Sequence, residues 1–252
     1  MQQMWQQLIR FGFRLLYQEM AWSYDAVSWV VSLGQWRRWQ EAALAYLPPP
    51  ATAPRVLEIG HGPGHMLAAL ADRGYQPLGL DLSEQMGRMA RQRTNGRIPL
   101  LRARVGAIPL ANGSVEAVLS TFPTDYIVAP QTITEIKRVL AENGRFVILP
   151  QAHLTGHSPI HRLIELAFRL TGQRPVAGKR YSVSGEQDSV SSKKLKVESE
   201  MCGGGLLVDA LTTSGFVVRQ HVVKLSGSVA LVIVAECNSG LGNERIKNPL
   251  IS

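Results

Sequence analysis

Residues 56–83, VLEIGHGPGHMLAALADRGYQPLGLDLS, decide the architecture of this chain. The apolar run from Val56 to Ile59 reads as a strand buried on both faces, and it delivers Gly60, Gly62 and Gly64 into a tight turn. HMLAALADRG then repeats apolar residues at helical spacing, and QPLGLDL reads as a second strand ending at Asp81. Strand, glycine turn, helix and strand together make one parallel crossover unit. Glycine permits positive φ and has no Cβ to hold a ligand off the backbone, so a ligand can lie directly on this turn. A carboxylate ending the next strand can accept from both hydroxyls of a ribose.

Glycine spacing separates the nucleotide classes. The third glycine of a dinucleotide fingerprint would fall where the chain has His65, and Gly64 comes one position earlier. No G-x-x-x-x-G-K-[ST] sequence occurs, so a phosphate-cradling loop of that type is absent.

The alternation continues on both sides of the quoted stretch. SEQMGRMARQRT reads as a helix, and IPLLRAR, VEAVLST and GRFVILP read as strands. QTITEIKRVLAENG is the helix before the last of these, with Gly144 as its left-handed cap. After Pro150 come a helix at HRLIELAFRLTG, stopped by Gly172, and a polar, aperiodic insertion expected at about 173–205 and expected to be mobile. LLVDALTTSG then reads as a helix, FVVRQHVV and SVALVIVAE as strands. Upstream, WQQLIRFGFRLLYQEM and WRRWQEAALAYL read as helices that end at Pro48, Pro49 and Pro50. The expected division is a helical lid at 1–50, a core at 51–237 and a flexible tail at 238–252.

A chain of 252 residues that is 45% hydrophobic suits one α/β domain with a buried core. Two cysteines, Cys202 and Cys237, make neither a disulfide framework nor a metal cluster, which points to a reducing, cytoplasmic setting. Arg10, Arg14 and Glu19 interrupt the apolar N-terminus before a span of about 20 apolar residues is reached. The formal charge of +8 is concentrated in one interval. No acidic residue lies between Glu84 and Glu116, where Arg88, Arg91, Arg93, Arg97, Arg102 and Arg104 fall. This is either a solvated helix face or a patch for an anionic partner.

The ordered motifs resemble the class I S-adenosylmethionine-dependent methyltransferases. LEIGHGPG is similar to their first motif, an acid, a hydrophobic residue and G-x-G-x-G, and GLDLS to their second acidic motif. AIPLANGSVEAVLST and EIKRVLAENGRFVIL match later stretches, and YDAVSWVVSLGQWRRWQ is similar to the entry helix of the ubiquinone/menaquinone-biosynthesis methyltransferases. The likeness runs from about Tyr24 to Leu149. It implies an α/β, Rossmann-like, seven-stranded and mostly parallel sheet with helices on both faces, the antiparallel strand SVALVIVAE inserted beside its neighbour, and S-adenosylmethionine as cofactor.

Carried over by position, Glu58 anchors the methionine end indirectly, the backbone of Gly60 and Gly62 lines the cofactor, Asp81 holds the ribose and Leu82 covers the adenine. His61, Gly64 and Ser120 complete the expected cofactor set. Arg104 stands where the family often has an aspartate for the adenine amine, which leaves the Val105 backbone as the alternative. The segment STFPTDYI lies at the carboxyl edge of the sheet, so Thr121, Asp125 and Tyr126 are substrate-side candidates beside Phe122, as is His153. The competing reading is a packed loop with core aromatics. His153, His157 and His161 share helical spacing, but Gly156 and Pro159 break such a helix, and no metal is expected.

The expected partner is a small methyl acceptor, apolar or lipid-like. All five tryptophans precede residue 40, and with nearby arginines they form either a lid or a peripheral membrane face. Two other functions are a catalytically silent protein on the same fold and, using the arginine patch, an RNA methyltransferase. Nucleic acid is disfavoured because no asparagine-proline-proline-aromatic motif is present.

Overall fold

The computed structural model describes residues 28–29, 32–155 and 204–237. Trp5, Trp22, His157, His161, Cys202, the helices expected at WQQLIRFGFRLLYQEM and HRLIELAFRLTG, residues 173–203 of the expected insertion and the tail lie outside the described residues, whereas Gly204 and Gly205 already belong to a helix.

Seven strands form one sheet: β1 (Arg55–Ile59), β2 (Gln76–Asp81), β3 (Leu100–Arg102), β4 (Val115–Thr121), β5 (Leu140–Leu154), β6 (Phe216–Leu225) and β7 (Ser228–Cys237). The described helices are α1 (Trp36–Ala42), α2 (His65–Asp72), α3 (Glu84–Arg93), α4 (Pro130–Val139) and α5 (Gly204–Thr213). Spatial order is β3-β2-β1-β4-β5-β7-β6, with β1 to β5 parallel and β7 antiparallel to both neighbours. The strand order reverses between β1 and β4, which opens a crevice at their carboxyl ends.

Both faces of the sheet are apolar and both are covered. Leu57, Ile59, Val118, Phe146 and Ile148 pack with Ile133 and Ile136 of α4 and Leu207 and Leu211 of α5. On the other face Val56, Leu119, Val147 and Leu149 pack with Trp39 and Ala42 of α1 and Met66 and Leu70 of α2. The central strands therefore read as continuous apolar runs, as strands buried on both faces must. Ser83 caps α3, its hydroxyl accepting from the Met86 amide at 3.3 Å, and Glu84 follows in the first turn, where the helix dipole favours a negative charge.

The end of α4 differs from the sequence expectation. The α4 helix stops at Val139, and Leu140 is already extended at ψ 133°. The left-handed residue that follows, near the start of β5, is Asn143, at φ 60°, not Gly144. Gly144 is needed for space instead, since a Cβ there would stand 2.8 Å from the Ala141 carbonyl oxygen.

Candidate functional site

The turn after β1 holds three glycines in the left-handed region, Gly60 at φ 69°, Gly62 at 52° and Gly64 at 84°. They serve different neighbours. A Cβ at Gly62 would meet nothing within 4 Å, so this position opens onto free space. A Cβ at Gly60 would come within 3.0 Å of the Tyr126 hydroxyl, which brings Tyr126 from the β4–α4 connection onto the turn. At Gly64 a Cβ would lie 2.9 Å from the Ala90 Cα, so Gly64 lets α3 approach the turn closely. The Arg93 guanidinium also donates to the Pro63 carbonyl, tying α3 to the same loop.

Asp81 organises the turn from the end of β2. One carboxylate oxygen accepts from the Gly62 amide at 3.0 Å and the other from the Ser83 amide at 2.8 Å. Glu58 is buried one strand away, 1% exposed, and its Oε2 has no hydrogen-bond partner. Burial pushes the Glu58 carboxyl well above its usual range, and the Asp81 charge adds to the rise. His61 is buried near Asp81. Its Nδ1 donates to the Gly62 carbonyl at 2.7 Å, and burial lowers its pKa against the opposing pull of Asp81 and the backbone contacts. The ring fits because β2 has Gly79 beside it, where a Cβ would stand 2.8 Å from the His61 Cδ2 and equally close to Leu67 and Leu100.

His61 borders two hollows. One, of about 190 Å³, lies between β2, β3 and α3 and is lined by Asp81, Ser83, Gly87, Arg88, Arg91 and Arg102 among others. The other, of about 20 Å³, lies over the turn, with Gly60, Gly62 and Thr121 below and Trp36 and Gln40 of α1 above. Gln40 donates to the Thr121 hydroxyl at 2.9 Å, and the Trp39 indole donates to the Ser228 hydroxyl, also at 2.9 Å. These bonds fasten α1 to the end of β4 and the start of β7.

The remaining sequence candidates fall around this centre. Ser120 is buried and donates to the Ile59 carbonyl at 3.3 Å. Leu82 is 55% exposed next to Asp81. Val105 is half-buried against the core, and Arg104 is exposed. Asp125 is exposed at the start of a 3-10 turn. His153 lies farther along the carboxyl edge, on β5. Part of the arginine patch is committed to structure, because Glu84 pairs with both Arg88 and Arg102. Trp36 and Gln40, which line the smaller hollow, are not among the site residues drawn from the sequence. Both belong to α1, within the stretch expected from the sequence to form a lid or a membrane face, and their contact with the turn is a long-range one.

Among the described residues, no helix is long and apolar enough to cross a membrane, and no group of three or more histidine, cysteine or acidic side chains is placed to hold a metal.

Residues 57–148 match the model of the methyltransferase domain family. The chain is 31% identical over 136 residues to a demethylmenaquinone methyltransferase from Clavibacter sepedonicus, covering 53% of this chain and 55% of that protein. It is 34% identical over 143 residues to a ubiquinone/menaquinone biosynthesis C-methyltransferase from Syntrophotalea carbinolica, covering 54% of this chain and 60% of that protein. The chain thus spans little more than half the length of these relatives. A solved structure from Listeria monocytogenes, assigned to the S-adenosylmethionine-dependent methyltransferases, shares the fold with a TM-score of 0.51 at 17% identity, over 79% of this chain and 97% of that one. Residues 57–148 are thus similar to the methyltransferase domain family, and the chain is similar to quinone-biosynthesis methyltransferases over little more than half of their length.

Proposed function

We propose that the protein transfers a methyl group from S-adenosylmethionine to a small, largely apolar acceptor. The observation that carries this reading is the space left at Gly62, beside a buried Glu58 oxygen without a partner and an Asp81 carboxylate at the rim of the larger hollow. These residues fit the cofactor. The turn amides and Glu58 suit the methionine end, and Asp81 suits the ribose hydroxyls. Leu82 and the Val105 backbone would border the adenine.

Bound there, the sulfonium is an already activated methyl donor. What remains for the protein is to hold the acceptor in line with it and to exclude water. Trp36, Phe122, Thr121 and Tyr126 border the space where that alignment would occur, and α1 acts as its roof. The quinone-modifying activity named for the relatives suggests an aromatic ring as acceptor, and the aromatic wall supports it.

Titration calorimetry with S-adenosylmethionine and S-adenosylhomocysteine tests the reading, followed by a radiolabelled-methyl screen of metabolite extracts. Binding of both, weakened by Asp81→Ala by about 1.5 to 3 kcal/mol, is expected from the loss of charge-assisted hydrogen bonds. No binding by a folded protein would instead favour a catalytically silent member of the fold.

A further inference from the structure

The glycine amides of the turn are already engaged. Gly60 donates to the Leu80 carbonyl at 2.7 Å, Gly62 to the Asp81 carboxylate at 3.0 Å and Gly64 to the His61 carbonyl at 3.0 Å. A methionine arm laid on this turn brings an α-ammonium and an α-carboxylate. The carboxyl groups of Glu58 and Asp81 come from the strand side, the first with an unpartnered oxygen, and suit the ammonium. The carboxylate needs further donors from outside the turn.

α1 supplies one. Trp36 and Gln40 are four residues apart, so they share one helix face, and both line the hollow over Gly60 and Gly62. Among the described residues no acidic side chain lines that hollow. The Gln40 amide donates to the Thr121 hydroxyl, on the same hollow, at 2.9 Å, and among the described residues it makes no other side-chain hydrogen bond.

At about 20 Å³ the hollow takes about one water molecule, and an amino-acid arm is several times larger. For the arm to enter, this face of α1 has to give way, and the Gln40–Thr121 bond has to open. Trp39, buried and bonded to Ser228, keeps the helix on the sheet meanwhile. Either orientation of the Gln40 amide leaves it an N–H to offer once Thr121 is released. A bond from that N–H to a carboxylate is charge-assisted and stronger than the neutral one it replaces, so the exchange favours the loaded state.

We propose that Gln40 is a cofactor-binding residue, which exchanges its bond to Thr121 for one to the α-carboxylate of the methionine arm. This rests on the cofactor reading above, and it gives α1 a part in recognition as well as in cover.

The test compares S-adenosylhomocysteine with 5′-methylthioadenosine, a thioether of the same nucleoside without the amino-acid arm, by titration calorimetry of the full chain. Gln40→Met keeps the side-chain length and removes the amide. It is expected to lower the ratio of the two affinities about tenfold, through loss of S-adenosylhomocysteine binding alone. Gln40→Glu sets one carboxylate against another and should lower the ratio further. A ratio that either variant leaves unchanged overturns the proposal. Should the variants misfold, the Gln40 side-chain amide resonances of the unmodified protein decide: a shift with S-adenosylhomocysteine and none with 5′-methylthioadenosine supports the exchange, and any other pattern overturns it. Binding of neither ligand removes the cofactor reading and the exchange with it, whereas binding of both with an unchanged ratio removes the exchange alone.

Discussion

Trp36 and Phe122 stack with ring centroids 4.2 Å apart and planes inclined by 27°. Phe122 reaches this position from the end of β4 at φ 51°, where L residues other than asparagine and aspartate are uncommon, and its amide donates to the Leu149 carbonyl at 2.7 Å. Trp39 meets the same ring edge-on, at 6.2 Å and 63°. The strained backbone is thus held by an aromatic cluster shared between α1 and the crevice.

Trp36→Ala removes that clamp and enlarges the 20 Å³ hollow above the glycine turn. The expected stability loss is about 2 kcal/mol, from the aromatic pair and the partial burial of the indole. Cofactor association, followed by stopped-flow fluorescence of the remaining tryptophans, should become faster because the roof no longer has to yield. Unchanged association rates would mean that the cofactor enters without displacing α1.

The glycines of the turn separate folding from binding. Gly64→Ala forces a Cβ against the Ala90 backbone and should lower the denaturation midpoint markedly. Gly62→Ala meets no protein atom and should cost only the left-handed strain, about 1–2 kcal/mol, yet it should weaken cofactor binding more than Gly64→Ala does in protein that remains folded. Calorimetry beside urea denaturation distinguishes the two, and the reverse ranking of affinities would place the cofactor elsewhere.

Gly79→Ala tests the seat of His61. The added methyl would stand 2.8 Å from three side chains, and overpacking of this kind typically costs about 1–3 kcal/mol. Because His61 must move, its Nδ1 bond to the Gly62 carbonyl should break, and the ring resonances in a proton–nitrogen NMR spectrum should shift. A stable variant with an unmoved His61 spectrum contradicts this packing.

Glu58 gives a pH dependence of definite sign. Its folded pKa is raised, first by burial and then by Asp81, so the unfolded chain releases its proton at lower pH than the folded one does. Below the ordinary glutamate range both states are protonated and Glu58 contributes nothing. As pH rises from that range towards the folded pKa, the unfolded state is favoured and stability falls. Glu58→Gln should abolish this fall, so its advantage over the parent protein in urea denaturation should grow between pH 4 and neutrality, the lower limit being about the ordinary glutamate pKa. A constant difference across that interval would refute the raised pKa.

The sequence exposes those parts of the fold that rest on local pattern. VEAVLST coincides with β4, and QPLGLD with β2, because a strand buried on both faces needs a mostly apolar run. The glycine turn and Asp81 are legible for the same reason: their chemistry is confined to one short crossover. What stays hidden is set by pairing between distant segments. The register shift in β5 between Ile148 and Gln151 exists only against β7, and the seat of His61 depends on a missing side chain on another strand. Gly144 attracts a capping role on composition, yet the chain leaves the helix earlier, at Val139, and Asn143 takes the left-handed turn.

The position of β7 between β5 and β6 governs the order in which the molecule can assemble. During synthesis β6 emerges before the strand that must separate it from β5, so it cannot take its place on arrival. Until β7 follows, β5 presents an open edge rich in apolar side chains, the kind of edge that recruits strands from other chains. Ribosome-bound intermediates ending before Ser228 should accordingly be the species most dependent on chaperones, and release of the final strand should be the step that commits the sheet.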